Sequence, residues 1–344
     1  MTRVTIVTDA WHPQVNGVVR SIERTNEELE RMGVTVTMLT PQAFRTIPCP
    51  TYPEIRLSLT TFGRVAREIE KGQPSYVHVA TEGPLGLLAA RWCRRTGLPY
   101  TTSYHTRLPE YVAARLPLPV DWLYALMRRF HNDGEGCMVA TDSLARDLAG
   151  RGFRKLMRWS RGIDAELFRP RRDRLLDLPR PIFMNVGRVS VEKNLSAFLD
   201  LDLPGTKVVV GDGPQLDELR RRHPEAVFTG AKFGEDLARH YADADVFVFP
   251  SRTDTFGNVL LEALASGVPI AAFPVTGPLD IVGAAPVGVL DEDLGRAALG
   301  ALALSRQACR EHALTFSWAA SARQFMTNIR LANGEAIGQP LAAE

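Results

Sequence analysis

PSRTDTFGNVLLEALASGVP, residues 250–269, is the stretch on which the architecture turns. Ahead of it runs an apolar, strand-like segment, Val246-Phe247-Val248-Phe249. After a turn-rich loop, an apolar-periodic segment begins near Phe256 and is stopped by Gly267 and Pro269. The order is strand, loop, helix. Asp254 and Glu262 have seven residues between them, so one carboxylate falls in the loop and the other two turns along, both expected to face the same mouth. Val259, Leu260, Leu261 and Leu264 fix the helix to a sheet. Asp254 and Gly257 are thereby left at the carboxyl end of the strand, where open α/β sheets bind ligands. Two acids and a helix N-terminus are expected to surround one small site.

The same alternation extends in both directions. Strands are expected at residues 182–186, 207–210, 227–228, 246–249 and 270–273, and before them at 4–7, 34–39, 76–79, 100–103, 138–140 and 156–159, with helical segments between most of them. Strands alternating with helices imply parallel sheets covered on both faces. The charged, proline-containing stretch LFRPRRDRLLDLPRP, residues 167–181, reads as a connector. With 344 residues, the chain divides into expected domains at 1–163 and 164–325, followed by a C-terminal helix and tail at 326–344.

Hydrophobic residues at 45% and charged residues at 23% are an ordinary globular composition. The net charge of +2 hides an asymmetry: 23 Lys and Arg stand against 17 Asp and Glu through Pro170, and 18 against 22 after it. The excess in the first half fits either an anionic partner or a general arginine-rich bias, since Arg outnumbers Lys throughout. Cys49, Cys93, Cys137 and Cys309 are far apart, which suggests neither a zinc site nor a disulfide framework and fits a reduced, cytoplasmic setting. No apolar signal core precedes the first strand, and no run is long enough to span a bilayer, so any membrane contact is expected to be peripheral.

Strand ends carry the chemistry. In TDAWHPQVNGVVRS, residues 8–21, Gly17 opens a helix whose amide and positive end can approach a phosphate, but G-x-G-x-x-G is absent, which argues against a nicotinamide cofactor. Thr101-Thr102-Ser103-Tyr104-His105-Thr106 ends a strand on a histidine, and Glu82 stands at another strand end. In residues 185–194, Arg188 and Lys193 are two cations in one loop, able to grip both phosphates of a nucleoside diphosphate, Arg188 bidentately. Gly211-Asp212-Gly213-Pro214 is another close-approach turn. Three acidic pairs, Asp200 with Asp202, Asp243 with Asp245 and Asp291 with Asp293, imitate a D-x-D metal motif but read as solvated acids beside turns or strand entries.

Taken together and in order, these motifs resemble the retaining family 4 glycosyltransferases, including bacterial lipid glycosyltransferases and α-mannosyltransferases. They are Pro13 to Gly17, the S-Y-H-T run ending at Thr106, G-R-x-x-x-E-K-N from Gly187 to Asn194, and the acid pair Asp254 and Glu262. That pattern usually has glutamate in its first position; Asp254 is one methylene shorter. The resemblance implies the GT-B fold, two Rossmann-like domains facing a central cleft, with a C-terminal helix crossing back to the first domain. It implies His105, Arg188, Lys193 and Asp254 as catalytic, and Gly17, Gly211, Phe256, Gly257 and Glu262 with them as donor-binding, the first acid on sugar hydroxyls and the second on the ribose. Glu82 and Arg107 are acceptor candidates. No metal and no cofactor are expected, the nucleotide sugar being a co-substrate. A UDP-sugar is favoured as donor and a membrane lipid such as diacylglycerol as acceptor. The alternatives are a GDP-mannose-dependent mannosyltransferase acting on a polysaccharide or glycolipid precursor, and an epimerase or sensor of the same fold. No nucleic-acid partner is expected.

The expected membrane contact is an anionic surface met from the cytoplasmic side. Residues 111–132 carry Trp122, Leu123, Leu126, Met127 and Phe130 at helical spacing, beside Arg115, Arg128 and Arg129. The basic run Arg151, Arg154, Lys155, Arg158 and Arg161 adds to the same charge excess.

Overall fold

The structure is a computed structural model that describes residues 2–14, 16–49, 52–113 and 118–336. Val15, Arg115 and the tail 337–344, to which expectations were attached above, lie outside the described residues. Two compact units emerge, Met1–Arg161 together with the chain from Trp318 onward, and Gly162–Ser317. The first boundary therefore falls at Arg161 rather than at 163. The C-terminal segment rejoins the first unit at Trp318, eight residues before the expected 326, because the whole helix Trp318–Ala332 packs there.

In the first unit β1 (Arg3–Val7) and β2 (Thr35–Leu39) are followed by an antiparallel hairpin, β3 (Arg45–Cys49) and β4 (Tyr52–Leu59). Then come β5 (Tyr76–Val79), β6 (Tyr100–Tyr104), β7 (Gly136–Val139) and β8 (Leu156–Arg158). The main sheet is parallel, in the order β2-β1-β5-β6-β7-β8. Its two faces are covered separately. Leu85, Ala89 and Trp92 of the helix Pro84–Thr96 pack on one face with Val65 and Ile69 of the helix Phe62–Lys71. Ile22 and Leu29 of the helix Gly17–Arg31 share the other with Phe325, Met326 and Ile329 of the C-terminal helix. That C-terminal helix crosses back because its apolar stripe completes this core.

The second unit repeats the plan with β9 (Ile182–Val186), β10 (Thr206–Val210), β11 (Val227–Phe228), β12 (Val246–Phe249), β13 (Ile270–Ala272) and β14 (Gly288–Leu290). The order is β11-β10-β9-β12-β13-β14, all parallel. Chain direction across the sheet reverses between β9 and β12, so the loops after these two strands stand at the switch point where such sheets bind ligands. These are the loops of Arg188 to Lys193 and of Asp254. The helix that follows β12, Asn258–Ala265, buries Leu260, Leu261, Glu262, Ala263, Leu264 and Ala265, so it is apolar nearly all round and lies inside the unit.

Two sequence expectations change here. Residues 108–132 form two helices, Leu108–Ala113 and Val120–Asn132, and the second turns Tyr124, Met127 and Phe130 into the core. Only Trp122 and Leu126 of the expected stripe are exposed, at 60% and 49%; Arg129 is exposed on the same face, while Arg128 turns to the Arg151 carbonyl at 2.9 Å. The basic run is largely paired: Arg151 with Asp147, Lys155 with Glu135 at 2.6 Å and Arg158 with Asp142 at 3.5 Å. Arg161, only 4% exposed, is an interior residue rather than a surface charge.

Candidate active site

In the second unit, β9 ends at Val186 and the chain passes through Gly187 into Arg188, then through a short turn, Val191–Lys193, to Asn194 in the left-handed conformation. The loop after β12 is stitched to it. Asn194 Nδ2 donates to the Pro250 carbonyl at 3.1 Å, and Ser251 Oγ to that of Glu192 at 3.3 Å. Across this seam Lys193 Nζ lies 2.7 and 2.8 Å from the two carboxylate oxygens of Asp254. A half-buried cation is thus held by both oxygens of a short acid. Gly211, just past β10, lies against the Gly187 carbonyl so closely that a Cβ there would fall far inside van der Waals contact, which only glycine avoids.

Gly257 precedes the helix Asn258–Ala265 at φ 86°, a left-handed conformation that glycine adopts at no steric cost. Phe256, next to it in the loop, is buried. Glu262, expected to open onto the same mouth as Asp254, is also buried, and its carboxylate accepts from the hydroxyl of Tyr241 at 2.8 Å. Tyr241 sits on the helix Gly234–Asp243, and its contribution was not read from the sequence, where it is one aromatic among apolar neighbours. Arg188, Lys193, Gly211, Asp254, Phe256, Gly257 and Glu262 therefore belong to one unit, around the ends of β9, β10 and β12.

His105, Gly17, Glu82 and Arg107 belong to the first unit. His105 follows β6, and its Nδ1 meets Nη2 of Arg161 at 3.1 Å. Burial first, then the Arg161 charge, holds this imidazole well below its ordinary pKa. Glu82 follows β5 and pairs with Nε2 of buried His131 at 3.0 Å, while Nδ1 of that ring meets Thr102 Oγ1 at 2.9 Å. Burial alone would keep His131 neutral; Cys137 and the Glu82 carboxylate outweigh it and push the ring up to about 10. Arg107 is engaged by Asp147 at 2.8 Å and Glu110 at 3.3 Å, which ties its loop to the helix Asp142–Gly150. At Gly17, the Oδ1 of Asn16 accepts from the amides of Val18 and Val19, both at 3.0 Å, so a carboxamide caps the helix end expected to meet a phosphate.

The acidic pairs differ in their surroundings. Asp243 is buried rather than solvated: it accepts from the amides of Leu175 and Leu176 and pairs with Arg180, which also holds Asp245 at 2.8 Å. Asp293 caps the helix Leu294–Ala301 through the amide of Arg296. Among the described residues no group of three or more His, Cys, Asp and Glu could hold a metal ion.

Two Rossmann-like parallel sheets, joined by a C-terminal helix that returns to the first, define the GT-B class. Solved structures agree on the fold: a sucrose-phosphate synthase from Thermosynechococcus elongatus superposes with a TM-score of 0.75 at 19% identity, over 97% of this chain and 100% of that one. The model of Glycosyltransferase Family 4 matches residues 15–167, and that of Glycosyl transferases group 1 matches residues 180–302. A GDP-mannose-dependent alpha-mannosyltransferase of Mycobacterium tuberculosis is 31% identical over 84% of this chain and 83% of its own length. An alpha-monoglucosyldiacylglycerol synthase of Streptococcus pneumoniae is 28% identical over 78% of this chain and 70% of its own. The chain belongs to the family 4 glycosyltransferases, enzymes that transfer sugar from a nucleotide sugar.

Proposed function

We propose that this enzyme transfers a hexose, with retention of anomeric configuration and without a metal ion, from a nucleoside diphosphate sugar to a membrane lipid. The observation that carries the reading is the pairing of Lys193 with Asp254 at the switch point of the second sheet, in the loop that also carries Arg188. Cleavage of the anomeric bond leaves a diphosphate with added negative charge and an oxocarbenium-like sugar. Arg188 and Lys193 are proposed to stabilise that leaving group, Asp254 to hold Lys193 and meet sugar hydroxyls, and Glu262, fixed by Tyr241, to take the ribose. The acceptor is proposed to attack from the face the leaving group departs, so no protein nucleophile is assigned.

The sequence favoured a UDP-sugar, and the glucosyldiacylglycerol synthase supports a lipid-directed glucosyltransferase. The relative matched at higher identity is named for GDP-mannose, which supports the alternative donor and leads us to place GDP-mannose first. Incubation of the purified enzyme with labelled GDP-mannose or UDP-glucose, a lipid extract and excess EDTA tests the reading. Labelled lipid should form at an undiminished rate with chelator present. Activity that collapses with EDTA and returns with Mg²⁺ removes the metal-free mechanism, and donor hydrolysis or isomerisation with no labelled lipid replaces transfer with an epimerase reading.

No helix among the described residues is long and apolar enough to cross a membrane. Peripheral docking is proposed through Trp122 and Leu126, one turn apart on an exposed face of the helix Val120–Asn132, with exposed Arg129 a further turn along the same face. Sedimentation with anionic vesicles should capture the protein at low salt and less of it at high salt, and Trp122→Ala with Leu126→Ser should weaken capture about a hundredfold or more, at roughly 1.5–3 kcal/mol per buried side chain. Equal binding of wild type and double variant removes this face from the interface.

A further inference from the structure

Arg161 is an arginine with no carboxylate partner among the described residues, in the interior of the first unit. Its Nη1 donates to the carbonyls of Trp159 at 2.9 Å and Ser160 at 3.2 Å, and its guanidinium carbon lies 4.2 Å from the centroid of the Trp159 ring. Its Nη2 meets Nδ1 of His105 at 3.1 Å. Burial pulls its pKa down to about 9, which still leaves it charged at neutral pH. A buried cation without a paired anion is costly, and a perturbed group in contact with another titratable side chain marks a candidate functional position.

What it does follows from donor chemistry. A guanidinium has five N–H donors and no acceptor, so the imidazole nitrogen it meets must present a lone pair. Nδ1 of His105 is that nitrogen, and the proton of the neutral ring then resides on Nε2. We propose that Arg161 is a positioning residue for His105, which it fixes as the neutral tautomer with its proton on Nε2, so that His105 serves the reaction as a hydrogen-bond donor and not as a general acid or base. This rests on the reading of His105 as part of the active site.

The C-terminal helix supports the pair. Trp159 Nε1 donates to Ser321 Oγ at 3.1 Å, Ser321 Oγ donates to the Ser160 carbonyl at 2.7 Å, the Ser160 amide donates to Gln324 Oε1 at 2.7 Å, and Asn328 Nδ2 donates to the Arg158 carbonyl at 2.7 Å. The strand end that carries Arg161 is thus gripped by a helix from the other end of the chain. Among the described residues, charged and titratable groups that act on His105 include Arg161 after β8, His78 on β5 and His131 on the helix Val120–Asn132, and these three disfavour a proton on it. His78 itself is pulled down to about 3 by burial and by Arg161, and its ring is held by Thr101 and Ser103 at 2.8 and 2.9 Å.

The test is 15N NMR of the full-length protein labelled at histidine, without any sugar donor. The chain has seven histidines, and the spectrum of His105→Gln identifies the resonance. In the wild type, Nδ1 of His105 should show the unprotonated shift and Nε2 the protonated one, unchanged between about pH 5 and pH 8. Arg161→Met should mix the tautomers and lower kcat/KM about tenfold to hundredfold, the range for partners that orient a functional histidine. Arg161→Lys, whose ammonium also only donates, should restore part of both. A proton on Nδ1 or an ordinary titration of His105 in the wild type overturns the proposal, as does Arg161→Met with tautomer and kcat/KM unchanged. If Arg161→Met does not fold, the wild-type and Arg161→Lys spectra decide. The expected spectrum in a protein that transfers no sugar leaves the tautomer assignment standing and removes the transferase reading alone.

Discussion

Lys193→Ala and Arg188→Ala are each expected to lower sugar transfer about 100-fold to 1000-fold at saturating donor, the loss that follows removal of one charge aimed at a transition state. The leaving diphosphate gains charge as the anomeric bond breaks, and the proposed mechanism neutralises it with these two side chains alone. Stability should change little. The side chains of Lys193 and Asp254 are 27% and 15% exposed, and a pair of this kind contributes about 1 kcal/mol or less. Asp254→Asn separates the two roles of the acid, because it keeps a polar group toward the sugar but frees Lys193 from its clamp. Steady-state kinetics and urea unfolding on the same preparations make the check. Near wild-type turnover in either cation variant takes that residue out of the chemistry.

Gly211→Ala is expected to destabilise the second unit by about 2–4 kcal/mol and to abolish donor binding with it. The added methyl group would enter the space of the Gly187 carbonyl, which is backbone and cannot swing aside, so β9 and the loop carrying Arg188 must shift. Gly63→Ala is the control. That glycine lies in the helix Phe62–Lys71 with nothing within 4 Å of the new atom, so alanine there should be neutral or stabilising by about 0.5 kcal/mol. Urea midpoints followed by circular dichroism compare them. A Gly211→Ala protein with the wild-type midpoint would show that the two loops are not in close contact.

Most main-sheet strands were legible because parallel strands buried on both faces read as continuous apolar runs; Val246 to Phe249 is one such run. The hairpin β3 and β4 was not, since Pro48 and Pro53 interrupt it and prolines argue against a strand unless it is an edge. β14 is three residues, Gly288–Leu290, too short for any period to register. Residues 111–132 were read as one apolar stripe. Helical spacing gives the angle between side chains but not which side meets the sheet, and the structure assigns Met127 and Phe130 to the core and Trp122 to solvent.

The sequence by itself determined the class of fold, the loops at the strand ends and the charged residues in them, because period, glycine position and strand-to-helix transitions act over neighbouring residues. Only the tertiary structure decided partners: Lys193 with Asp254, 61 positions apart, Glu262 with Tyr241, and His105 with Arg161, 56 positions apart. It also moved Arg161 from a basic surface run to the interior and brought the C-terminal helix to its strand. The physical reason is that the protonation and direction of a side chain depend on burial and on which donors and acceptors reach it, and those are set by how helices and loops pack on each sheet rather than by order along the chain.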